Sequence, residues 1–98
     1  MLYMAIGIKV EEAECMEIDA RIEYVPERFL VETKSLKLYL WKYRNEPGFN
    51  EAMVDKVASD LHAQIKPLWL RVTGQFNPRG GIRVEATAER GDIRYRPS

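Results

Sequence analysis

VETKSLKLYLWKYRNEPGFNE, residues 31–51, stands between stretches of a different rhythm, and its own rhythm decides the architecture. Leu36, Tyr39, Leu40 and Tyr43 recur at the spacing of one helix face, and the NEPG run at 45–48 breaks that helix. Asn50 then stands as the cap of a second helix, whose stripe is Val54, Val57, Ala58, Leu61 and Ile65 and which Pro67 closes. Upstream the period is two. Leu2, Met4, Ile6, Ile8 and Val10 alternate with Tyr3, Ala5, Gly7 and Lys9, and the acidic EEAE makes a turn. Ile18, Ala20, Ile22 and Tyr24 then face inward against Glu17, Asp19, Arg21 and Glu23, until Pro26 stops the strand. The short RFLVE piece leads, extended, into the first helix. Downstream, Leu68, Leu70, Val72 and Phe76 alternate with Trp69, Arg71, Thr73 and Gln75. Across an NPRGG hairpin loop, Ile82, Val84, Ala86 and Ala88 alternate with Arg83, Glu85, Thr87 and Glu89. The order of strands, two helices and strands predicts an α+β layer, an antiparallel sheet with both helices on one face. The other face of such a sheet is left polar or open to a partner.

Length and charge narrow the classes. Ninety-eight residues fit one domain, 1–98, with a strand and turn at 1–15, a core at 16–90 and an aperiodic tail at 91–98. A chain this short buries a modest fraction of its surface, so association with copies of itself adds useful burial. Fifteen basic and fifteen acidic residues are interspersed, which argues against nucleic acid or anionic membrane as partners. The lone Cys15 excludes an internal disulfide, and with His62 the only histidine no zinc cluster is expected. This cysteine economy suits the cytoplasm. MLYMAIGIKV lacks a basic leader and a small-residue cleavage site, and reads as mature structure.

Three stretches carry chemistry. In ETKSLK, Glu32 to Lys37, a helix start offers free N–H groups and a positive dipole end, to which Thr33, Lys34, Ser35 and Lys37 add donors and charge, so a phosphate fits. The plainer reading makes Thr33 or Ser35 an ordinary N-cap with solvated lysines. Those lysines oppose the dipole, which implies that something negative compensates. In NPRGG, glycines allow close approach of a ligand and Arg79 offers a planar fork of donors, although a turn alone needs no function. Glu51, at the opening of the second helix, suits the dipole and is equally an acceptor for the N–H donors of a guanine-like edge. His62 reads as a boundary residue, Cys15 as a packed or idle thiol, and Tyr39, Trp41, Tyr43 and Trp69 as core or subunit contacts.

Taken together, IEYVPERFLVETKSLKLYLWKYRNEPGFNE, VDKVASDL and PLWLRVTGQFNPRGGI resemble the NADPH-dependent cyano-deazaguanine reductases, the nitrile reductases of queuosine biosynthesis, over about residues 18–85. E-[ST]-K-S-L-K-L-Y, R-N, F-x-E and N-P-R-G-G occur in that family's order and spacing. The resemblance implies the tunnelling fold, in which ββααββ subunits join edge to edge into rings, pentamers or stacked pentamers, with sites between subunits. It implies Lys34, Lys37 and Arg79 as NADPH partners, Glu32, Thr33 and Ser35 beside the substrate, and Glu51 on the base's amino-pyrimidinone edge.

The chain also departs from that family. Its C-P-x-T-G-Q-P-D stretch, whose cysteine adds to the nitrile and whose aspartate supplies the proton, is missing. Ungapped extension back from Tyr24 puts Lys9 at the cysteine position and Met16 at the aspartate, and Asn50 takes the place of the helix-start histidine. Neither lysine nor methionine substitutes for a thiolate with its proton donor. The clean alternation of Leu2 to Val10 reads as an added N-terminal strand. The expectation is a deazapurine-binding protein whose nitrile chemistry is lost or altered. Its rivals are an active reductase, through Cys15 with Asp19 or through a partner chain's cysteine, and a non-catalytic structural ring module.

Overall fold

The computed structural model describes residues 2–11, 16–41, 51–78 and 84–97. Four strands form one antiparallel sheet in the order β1 (Met4–Glu11), β2 (Met16–Val25), β3 (Trp69–Pro78) and β4 (Val84–Gly91). Helices α1 (Thr33–Trp41) and α2 (Glu51–Ile65) fall between β2 and β3 in the chain. The N-terminal strand expected as an addition is β1 itself, one of the four that make up the ββααββ order.

The register follows from the alternation. Ile8 pairs with Ala20 and Ile6 with Ile22; Ile22 pairs with Val72, and Val72 with Ala88, so apolar residues line up across all four strands. The helix stripes close over that row. Leu36 and Leu40 of α1 and Val54, Val57, Ala58, Leu61 and Ile65 of α2 join Ile8, Ala20, Ile22, Tyr24, Leu70, Val72 and Ala86 in one buried cluster. Tyr24 is fully buried, and its hydroxyl accepts the Val31 N–H at 2.9 Å, which fixes the chain's entry into α1. After α2, Lys66 takes a left-handed φ of 46° while its N–H donates to the His62 carbonyl, and Pro67 prevents any further turn. Met4 and Ile6 are only half-buried and Val84 is 48% exposed, although all three share the inward parity. They lie on β1 and β4, the unpaired edges of the sheet.

The helix-free face differs from expectation. Strict alternation puts Glu23 and Trp69 outward, yet both are buried. The physical reason is a polar layer on this face, built by Tyr3, Arg71 and Glu89 and joined by the tail. Gly91, at φ 89°, turns the chain so that the Asp92 N–H donates to the Leu68 carbonyl, and a 3-10 turn at Ile93–Tyr95 follows. Arg96 then bonds the Glu89 carboxylate through Nε at 2.8 Å and Nη2 at 2.5 Å, and Trp69 Nε1 donates to the same carboxylate at 2.8 Å. The Arg71 guanidinium lies 5.2 Å from the Trp69 ring centroid. From there it grips Glu23 through both nitrogens, Nε at 3.1 Å and Nη2 at 3.0 Å, and Tyr3 Oη donates to the same carboxylate. A stretch without periodicity thus joins a second, mixed layer.

Arg71 hydrogen bonding, aided by Tyr3 and opposed by burial, holds the Glu23 carboxyl below its usual range. A lowered carboxylate stabilises the fold above its unfolded value of about 4.3 and ceases to do so as pH falls through the folded value. The urea midpoint is therefore expected to stay level between neutrality and about pH 5 and to decline on further acidification. Glu23→Gln should cost about 1 kcal/mol at neutrality, a figure kept small because Arg71 is partly exposed, and should flatten the acid limb. Parallel profiles for the two proteins would remove Glu23 from the explanation.

Candidate functional site

Glu32 immediately precedes α1 and caps it. Its carboxylate accepts the Lys34 N–H at 3.1 Å, the Ser35 N–H at 2.7 Å and the Ser35 hydroxyl at 2.5 Å, while its carbonyl accepts the Leu36 N–H at 3.0 Å. This corrects the expectation that Thr33 or Ser35 caps the helix. The Ser35 hydroxyl, then the Ser35 and Lys34 amides, hold the Glu32 carboxyl below its ordinary value. Glu32 is thus the negative group that compensates the early lysines, and it occupies two of the N–H groups that a phosphate at this helix start needs. Thr33, Lys34 and Lys37 are exposed, and Lys34 and Lys37 stand three residues apart on one side of α1.

Two clefts separate the expected site residues within one chain. Glu32 and Ser35 border a cleft of about 220 Å³ with Leu30, Leu36, Leu61 and Ile65, and its lining includes Tyr39, whose hydroxyl donates to Asp60. Glu51 opens α2 and borders a cleft of about 680 Å³ along the β4 edge, with Asp55, Thr87 and Arg90. Glu51 is exposed and has no hydrogen-bond or ion-pair partner among the described residues. Asp19 falls elsewhere, on the helix-free face, in a hollow of about 500 Å³ with Gly7, Arg21, Thr73 and Gln75. Cys15, Arg79 and Asn50 lie outside the described residues. His62 is half-buried on α2, and no group of three or more metal-ligating side chains occurs among the described residues.

Chemically, the β4-edge cleft offers an exposed carboxylate beside a threonine and an arginine. A carboxylate without partners among the described residues can accept two parallel N–H donors. Among the described residues its lining holds carboxylates, a threonine and an arginine, with no thiol or imidazole. Sequence reasoning missed Arg90 and the ladder from Glu23 to Arg96. The one available signal for Arg90 was its parity: it follows Val84, Ala86 and Ala88 at an inward position where an apolar residue was due.

A family model described as QueF-like protein matches residues 18–95, most of the chain. The chain belongs to the QueF-like family. Among relatives, NADPH-dependent 7-cyano-7-deazaguanine reductases from Anaeromyxobacter sp. (strain K) and Nitrosococcus oceani are similar at 49% identity over 72 residues and 48% over 69. These matches cover 74% and 70% of this chain but 59% and 54% of the relatives, so the chain spans just over half the length of the curated QueF-type proteins it matches. A solved structure titled as the archaeosine synthase QueF-Like in the apo form superposes with a TM-score of 0.81 at 19% identity, over 93% of this chain and 95% of that one. That likeness bears on the fold alone and agrees with the ββααββ tunnelling architecture. No helix among the described residues is long and apolar enough to cross a membrane.

Proposed function

We propose that this QueF-like chain binds a 7-deazaguanine-type base through Glu51 at the β4-edge cleft, with the nitrile-reducing chemistry of its relatives lost or altered. The observation that carries the reading is Glu51 itself, an exposed carboxylate without a partner among the described residues at the head of α2, where the resemblance to the family's F-x-E motif implies the base-gripping group. Lys9 and Met16, at the aligned positions of the reacting cysteine and aspartate, support the second half. Copies of the chain join edge to edge, β1 against a neighbour's β4, which leaves the cleft between subunits. Two unpaired edges carrying incompletely covered apolar residues support that assembly.

For NADPH, which the relatives' names include, the fit rests on side chains. Lys34 and Lys37 present two cations on one side of α1 and would hold its phosphates, whereas Glu32 already takes the Lys34 and Ser35 amides. When bound, the cofactor supplies a hydride.

Calorimetry with 7-cyano-7-deazaguanine tests the reading. The parent is expected to bind and Glu51→Ala to bind at least about tenfold more weakly, since two charge-assisted hydrogen bonds are lost. No heat from the parent at millimolar ligand would dismiss the proposal. The identity of almost one half with named reductases favours a second reading, a working reductase. That reading requires NADPH oxidation dependent on the nitrile, and undiminished turnover in Cys15→Ala would exclude Cys15 as its nucleophile.

A further inference from the structure

Arg90 is the only charged residue in the inward-facing row of β4, after Val84, Ala86 and Ala88. Its guanidinium turns onto α2. Nη2 donates to the Asp55 carboxylate, to Ser59 Oγ at 3.2 Å and, at a longer 3.5 Å, to the Asp55 carbonyl, while Nη1 donates to the Glu89 carbonyl at 2.8 Å. One side chain therefore ties the edge strand to two successive turns of the helix. Glu51, Asp55 and Ser59 follow one another at intervals of four and share a helix face. Arg90 holds the second and third, and Glu51 lies one turn closer to the helix start, bordering the same cleft.

We infer that Arg90 is a positioning residue for Glu51, an inference that rests on reading Glu51 as the base-binding carboxylate. Two effects act together. The fork fixes the height and rotation of the first turns of α2 against β4, which sets where the Glu51 oxygens stand. It also neutralises Asp55, a like charge at a destabilising separation from Glu51, so the Glu51 anion is held without repulsion from its own helix. Guanidinium geometry is needed for the first effect and charge alone for the second.

The experiment uses the full chain with Arg90→Gln, Arg90→Lys and Asp55→Asn, at a temperature where each is fully folded. Affinity for 7-cyano-7-deazaguanine is measured by calorimetry, and opening of α2 by hydrogen exchange at the amides from Asp55 to Ser59. Arg90→Gln is expected to weaken binding about tenfold and to speed that exchange, with Arg90→Lys intermediate because it returns the charge without the fork. If Arg90→Gln does not fold, Asp55→Asn carries the test through the other end of the contact. Parent-like affinity in Arg90→Gln, or affinity fully restored by Arg90→Lys with exchange still fast, overturns the positioning role. A parent that takes up no ligand overturns the reading of Glu51 alone, and unchanged exchange in Arg90→Gln then overturns the tether as well.

Discussion

Trp69→Ala is expected to lower the free energy of unfolding by about 3–5 kcal/mol, read from urea denaturation followed by circular dichroism. Trp69 has no exposed surface although it sits on the face that carries no helix. Its truncation removes the ring under the Arg71 guanidinium and the indole donor to Glu89 together. Domains of this size are stable by only about 5–15 kcal/mol, so the variant should sit close to unfolding at ordinary temperature. Trp69→Phe separates the contributions. It keeps most of the ring volume and loses the indole N–H, and should cost about 1–2 kcal/mol while Arg96 continues to satisfy Glu89. A loss under about 1 kcal/mol for Trp69→Ala would mean that this layer does not cover the ring in solution.

Gly91→Ala is the second large effect, expected at about 2–4 kcal/mol, because two penalties fall on one methyl group. The φ of 89° is strained for any residue with a Cβ, and that Cβ would stand 2.7 Å from the Leu68 carbonyl oxygen and 3.0 Å from the Trp69 Cα. Both neighbours are backbone, so no rotamer change relieves the overlap. The carbonyl concerned is the acceptor for the Asp92 N–H, and the clash should release that hydrogen bond first. Faster exchange at the Asp92 amide, with core amides of β2 and β3 slowed to the usual extent, is the expected signature. Unchanged Asp92 exchange would show that the turn adapts without opening.

What the sequence revealed depended on whether local rhythm or distant pairing decided the outcome. Residues 51–65 alternate at 3.6 and were legible as a helix with the stripe that the fold buries, because that periodicity is a property of contiguous residues. The same holds for Ala20, Ile22 and Tyr24 as the inward row of a strand. Trp69 and Glu23 were assigned outward because alternation assumes that only one face is covered. The cover comes from partners distant in the chain, Tyr3 and Arg71 at Glu23 and Arg71 and Glu89 at Trp69, and from a tail of two arginines, a glycine and an aspartate in which no period announces burial. Glu51 was legible as a candidate carboxylate from motif and helix position, whereas Arg90 was not, since its partners Asp55 and Ser59 are more than thirty residues away in the chain. The capping role of Glu32 was missed for a different reason. Short hydroxyl residues were favoured by rank, yet a glutamate just ahead of the helix reaches two amides that Thr33 does not.

The Glu32 cap has a consequence for handling the protein. A carboxylate tethered beside its own amides competes with dissolved anions as an intramolecular group, and a tether this short gives an effective concentration well above that of common buffers. Millimolar inorganic phosphate or sulfate should therefore leave the start of α1 undisturbed, and Glu32→Ala should convert it into a salt-responsive anion trap.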